Sequence, residues 1–128
     1  MGNRSNNLSD HEFRCKCRQR APHLPVCKQK LVPDELIKII QGVRDHFGSP
    51  VIIHSGHRCK NYNTFVGGAT RSQHIKATAG DITVKGVTPN QVQAYLLERY
   101  PDQHGIGRYN TFTHVDVRGS KARWDNRR

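Results

Sequence analysis

No apolar run in this chain approaches the ~20 residues needed to cross a bilayer, so no transmembrane segment is expected. The opening Met1-Gly2-Asn3-Arg4-Ser5-Asn6-Asn7 has no apolar h-region, and no signal peptide is expected in this chain. Met1-Gly2 does not make a myristoylation signal, because Asn6 stands where Ser or Thr is required. Acidic side chains are scarce: 10 Asp and Glu face 21 Lys and Arg, for a net charge of +11 with His neutral. That excess favours encounter with polyanions such as an anionic cell envelope, carboxylate-rich peptidoglycan or nucleic acid. There is no RNP-like aromatic motif and no usual zinc-finger spacing, so specific nucleic-acid binding is not expected. Apolar residues make up only 34% and Trp occurs once, which allows 128 residues one domain around one modest core. Internal repeats and low-complexity segments are absent as well.

What is present is a clear series of short elements. Leu8 to Phe13 reads as a capped turn or short helix with Ser9 or Asp10 as N-cap. The stretch onward to Lys30 carries three Cys, two Pro and many cations and reads as a loop. Asp34 opens the clearest helix: Leu36, Ile39, Ile40 and Val43 follow the 3.6-residue period, and Gly48 ends it after Phe47. Val51 to Ser55 is β-branched and strand-like, and Cys59 to Gln73 reads as a long connection. A second strand, Gly80 to Val84, precedes a helix that starts at Thr88-Pro89 and runs to about Arg99. Gly105 to Tyr109 and Thr111 to Val117 read as paired antiparallel strands. This order predicts an α+β fold, a small antiparallel sheet with helices packed on one face.

The chemistry concentrates in Ser72-Gln73-His74-Ile75-Lys76-Ala77-Thr78-Ala79-Gly80-Asp81, and downstream in Thr113-His114-Val115-Asp116. Two imidazoles and a carboxylate, His74, Asp81 and His114, are a donor set suited to one catalytic Zn²⁺. Three protein ligands leave the fourth tetrahedral position to water, whereas a structural site normally closes with four, commonly cysteines. Strand alternation puts Asp81 on one face with Thr83, and His114 with Asp116, while Ile82, Val84, Val115 and Val117 point to the core. The reading is metal-assisted hydrolysis.

The ten-residue stretch resembles the SxHxxGxAxD signature of the M15 peptidases, the zinc D,D-carboxypeptidase and L-alanyl-D-glutamate endopeptidase family. Ser72, His74, Ala79 and Asp81 match it, while Ala77 stands where the family usually has Gly. Ser55-Gly56-His57-Arg58 is similar to the family's SGxR, and Asn63 to Ala69 to its N-x-x-VGGA. Gly105 to Tyr109, Phe112 to Arg118 and Ala122-Arg123-Trp124 are similar to its C-terminal half. The resemblance implies an M15/hedgehog-like fold over residues 8–124, between a disordered amino terminus at 1–7 and a basic tail at 125–128. It implies a peptidoglycan stem peptide as substrate, a zinc at His74, Asp81 and His114, and a substrate-binding role for Ser72. Arg58 matches the family arginine and is expected to polarise the scissile carbonyl or clamp a substrate carboxylate.

Two features depart from the family pattern. Many M15 enzymes place an acidic general base three residues before the final His, and here that residue is Thr111. Asp116 is the nearest substitute on the strand face of His114; it serves either as the base or as a group orienting a ligand. If Ala77 occupies a position needing positive φ, it carries a cost of about 1 kcal/mol there. His54, His57 and His104 read as loop or rim residues, while Tyr109 and Trp124 are candidates for the cleft floor. Cys15, Cys17 and Cys27, with His23 among them, read as free thiols, as a disulfide involving Cys27, or as a zinc site; Cys59 reads as a free thiol. Together these features are expected to describe a monomeric zinc peptidase, an L-alanyl-D-glutamate endopeptidase of endolysin type. Its place would be the host cytosol with release to the wall, or the periplasm if a signal has been trimmed. The competing reading is a non-catalytic zinc-containing module that binds wall or polyanion, with a polyanion-binding phage-particle protein as a third.

Overall fold

The computed structural model describes residues 2–25 and 27–128. A 3-10 turn at Asp10–Phe13 leads to the short helix α1, Cys17–Arg20, inside the stretch expected to be a loop. Then follow α2 (Asp34–Phe47), β1 (Val51–Ser55), α3 (Lys60–Phe65), β2 (Ala79–Val84), α4 (Pro89–Arg99), β3 (Gly105–Arg108), β4 (Thr113–Asp116) and β5 (Ala122–Asp125). α3 also falls in an expected connection: Lys60 to Phe65 spans less than two turns, too short for the hydrophobic period to declare it. No helix among the described residues is long and apolar enough to cross a membrane.

The helix ends follow from local chemistry. Gly48 closes α2 at φ 64, a left-handed conformation glycine adopts without a Cβ clash, and its N–H bonds the Arg44 carbonyl. Thr88 caps α4 by accepting from the Gln91 N–H, the Gln91 side chain accepts the Thr88 N–H in return, and Pro89 sits at the first helical position. The apolar stripe of α2 buries Leu36, Ile37, Ile39, Ile40 and Val43, and α4 contributes Val92 and Leu96. These pack on Ile53, Ile82, Val84, Ile106 and Val115, the inward positions of the strands. The expected α+β fold is therefore present, with both long helices on one face of the sheet.

The strand order is β1-β2-β4-β3-β5. The first three pairings are antiparallel, but β5 runs parallel to β3, so the sheet is mixed rather than wholly antiparallel. Arg123 holds that edge, donating to the carbonyls of Tyr100, Gln103 and His104. The basic end of the chain is partly inside the fold: Asp125 belongs to β5, and the Asn126 N–H bonds the Arg108 carbonyl. At the amino terminus Arg4 reaches Asp10, the Val32 carbonyl and Asp34 at 2.6, 2.7 and 3.0 Å, which ties residues expected to be disordered to the start of α2.

Candidate metal centre

Register brings the predicted ligands together. Asp81 on β2 lies directly opposite His114 on β4, and directly opposed residues of an antiparallel pair share a face with their Cβ atoms close together. The same row continues to Gly107 on β3 and Trp124 on β5, and in the other direction to Ser55 on β1. Gly107 is required there, since a Cβ at that position would sit 2.4 Å from the Trp124 ring. Trp124 thereby packs over the strand, with its ring 4.9 Å from the His114 ring.

His74 arrives from the loop before β2. Ser72 Oγ accepts the His74 N–H at 3.1 Å, and the Ala77 N–H returns to the His74 carbonyl. Ala77 has φ 61, the left-handed conformation anticipated from the family's glycine. Its methyl is fully buried in the core, which offsets part of the backbone cost. The turn presents His74 over the strand pair, where one donor atom each from His74, Asp81 and His114 lies within 4.8 Å of the others.

The proton arrangement shows what such a cluster needs. His74 Nδ1 is 2.7 Å from the Gly56 carbonyl, which can only accept, so this nitrogen carries the N–H. His114 Nε2 is 2.7 Å from Asp116 Oδ2, which likewise fixes the N–H on that side. The other ring nitrogens, His74 Nε2 and His114 Nδ1, then turn lone pairs toward Asp81 Oδ1 at 3.1 and 3.0 Å. Two lone pairs and an anionic oxygen at that separation repel unless positive charge, protons or a metal cation, lies among them. The titration directions agree. Burial would raise the Asp81 carboxyl, yet His114 and His74 hold it well below the usual carboxylate range. Burial would lower His114, yet Asp116 and Asp81 raise it. The donor set fits a borderline-to-hard divalent ion.

Arg58 braces the carboxylate. Its guanidinium donates to Ser55 Oγ at 3.0 Å, Asn63 Oδ1 at 3.2 Å and Asp81 Oδ2 at 3.2 Å. Gly68 makes room for that arrangement, since a Cβ there would lie 2.2 Å from Asn63 Oδ1. Sequence reasoning assigned no role to Ser55 or Asn63 as partners of Arg58, although both lie in the motifs that resemble the family.

Asp116 does not face the cleft. Its carboxylate is fully buried behind His114, and Arg118 holds it bidentately, Nε to Oδ1 and Nη2 to Oδ2, both at 2.8 Å. Burial would raise this carboxyl, but Arg118 and His114 keep it well below the usual range. A general base works best with a pKa near the operating pH. Of the two roles left open for Asp116, base or orienting group, this burial and pairing favour the group that fixes the ring and tautomer of His114. Gly105 permits this, because a Cβ there would lie 2.4 Å from the Asp116 carboxylate. Arg118, which the sequence offers only as the end of the stretch similar to the family's C-terminal half, thus pairs with Asp116 and lines the cleft.

Around the three ligands lies an open cleft of roughly 770 Å³. Arg58, Arg71 and Arg118 supply positive charge to its wall, Tyr109, Phe112 and Trp124 supply aromatic surface, and Ser72 lies beside His74. Gln93, buried under the turn at 109–112, donates to the carbonyls of Tyr109 and Phe112 and accepts from Arg108, which fixes the aromatic wall. Among the described residues Asp81 is the one carboxylate on that wall. The other histidines lie elsewhere: His54 bonds Thr83, His57 is buried against the Lys30 N–H, and His104 packs on Tyr100.

A family model described as Peptidase M15 matches residues 6–116, most of the chain. The chain belongs to the M15 peptidase family. Peptidases of this family are metal-dependent, and membership implies a peptide substrate. No curated protein matches the chain.

Proposed function

We propose that this M15 peptidase is a zinc-dependent hydrolase of peptidoglycan stem peptides, an L-alanyl-D-glutamate endopeptidase of endolysin type. The observation that carries the reading is the convergence of His74 Nε2, His114 Nδ1 and Asp81 Oδ1, each backed by a group that sets its proton or charge. A zinc held by these three residues would supply Lewis-acid polarisation and an acidified water, the chemistry of metal-assisted hydrolysis. The Gly56 carbonyl and Asp116 keep both imidazoles in the ligating tautomer. Arg58 holds the Asp81 carboxylate in place; it spends three of its N–H groups on protein, and the remaining two are available to a scissile carbonyl or a substrate carboxylate.

The cleft wall suits an acidic peptide. Arg71 at the rim offers a partner for a stem-peptide carboxylate, and Ser72 a hydroxyl beside the reacting end. Tyr109 Oη accepts from Trp124 Nε1 at 2.9 Å, which leaves its own O–H free to donate to bound peptide. Digestion of purified sacculi tests the bond assignment. Fragments with a new amino terminus on glutamate are expected, and release of free D-alanine alone would assign carboxypeptidase activity instead.

Arg58→Lys is expected to retain metal but to lower kcat/KM about 10–100-fold. Lysine lacks the planar fork, and a lost hydrogen bond to a charged group is worth about 1.5–3 kcal/mol. Full activity in that variant would remove Arg58 from the mechanism. The charge of +11 is assigned to the envelope rather than the chemistry. Sacculus binding should weaken steeply as ionic strength passes about 0.1 M, where the Debye length is about 10 Å, while turnover of a short soluble stem peptide changes much less. Equal salt sensitivity of the two would place the effective cations inside the site.

A second reading, a zinc-containing module that binds wall or polyanion without cutting it, is favoured by one observation. Thr111 is exposed at the usual base position, and the cleft wall carries no carboxylate besides Asp81 among the described residues. Binding of sacculi without release of fragments would select it.

A further inference from the structure

The loop between Phe13 and Asp34 contains six cations, Arg14, Lys16, Arg18, Arg20, Lys28 and Lys30, and no acidic residue. It has little apolar material of its own; Cys15, Cys17 and Ala21 are buried with Tyr62 in a small cluster separate from the main core. At the centre of this cluster Cys15, Cys17 and Cys27 meet Cys59, which caps α3 some thirty residues downstream. All four Sγ atoms lie within 4.8 Å of one another, with Cys17 and Cys27 3.5 Å apart, and none is bonded to another. His23 is not among them; it packs edge-on against Phe65.

We infer that Cys15, Cys17, Cys27 and Cys59 bind a structural zinc ion, independent of the His74–Asp81–His114 site. Four sulfurs at about 2.3 Å from a tetrahedral zinc stand about 3.8 Å apart, close to the packing seen. Such a site is closed, with no open position for substrate. The Cys59 N–H points at Cys15 Sγ at 3.2 Å, the Tyr62 N–H at Cys59 Sγ at 3.4 Å and Gln29 Nε2 at Cys27 Sγ at 3.4 Å, the donors that ligating thiolates need. Zinc with four thiolates carries a charge of −2, opposite in sign to the net charge of this segment, whose six cations meet no acidic residue. Metal binding releases the thiol protons and oxidises nothing. The ion would staple the amino-terminal segment to the residue that follows Arg58, coupling a loop with little core of its own to the arm that braces Asp81.

The test begins with the His114→Ala variant, whose other site is disabled. It should retain one zinc per chain, and X-ray absorption should show only sulfur neighbours at about 2.3 Å. Cobalt substitution should give thiolate-to-metal charge-transfer absorption, and Cys27→Ser or Cys59→Ser should lose that band and one equivalent of metal. The native chain offers a check that needs no variant: mercurial titration of its thiols should release a zinc equivalent that a mild chelator leaves in place. Four freely reactive thiols with no zinc released, or an intact mass lowered by the hydrogens lost to disulfides, would overturn the inference. Neither result bears on the histidine site, whose neighbours are nitrogen and oxygen.

Discussion

His114→Ala is expected to lose the metal at the His74–Asp81–His114 centre and to reduce stem-peptide turnover by at least about 10³-fold. Metal polarisation of a carbonyl is worth several kcal/mol of transition-state stabilisation, and each ~1.4 kcal/mol is a decade in rate. His114 supplies one of three protein donors and is opposite Asp81 in the β2–β4 register, so no neighbouring side chain can replace it. Its removal also strips the partner of buried Asp116, although Arg118 still neutralises that carboxylate, which favours a folded variant. The check is metal analysis together with turnover at saturating zinc. Retained activity with unchanged nitrogen and oxygen coordination would remove His114 from the site.

Asp116→Asn separates two roles that the sequence left open. If Asp116 orients His114, metal affinity should fall about 10–100-fold, while turnover per bound metal changes by less than about tenfold at saturating zinc. If it were the general base, zinc would be retained and kcat would fall about 10²–10⁴-fold. The buried carboxylate behind His114, held by Arg118, predicts the first outcome. Zinc titration followed by activity per metal distinguishes them, and a base effect at full occupancy would contradict the geometry.

Much of this centre is legible in the sequence because strand alternation and the resemblance to the M15 signature point to the same residues. The helix from Asp34 to Phe47 declares itself by Leu36, Ile39, Ile40 and Val43, and strand alternation separates Asp81 and His114 from Ile82 and Val115. Alternation identifies the shared face of His114 and Asp116, but not what lies between a side chain and the cleft. The ring of His114 fills that space, and only the tertiary contact with Arg118 reveals which way Asp116 is turned. The parallel β5 was hidden for a related reason: it joins the edge of β3 beside Arg123, which reaches the carbonyls near residue 100, a contact with no sequence period. The four cysteines were likewise divided between distant segments, and Cys59 joins the other three only through the fold. Ala77 shows the opposite case: one residue out of pattern raised the question of a left-handed turn, and its φ of 61 answers it.

The most direct measurement of the central claim is fragment release from purified sacculi by the chain stripped with a mild chelator and then titrated with zinc. The account predicts that release stops on stripping and returns as the His74–Asp81–His114 centre refills, with His114→Ala inactive at every zinc concentration. Undiminished release after that centre is emptied, or none from a fully loaded chain on any stem peptide, would contradict it.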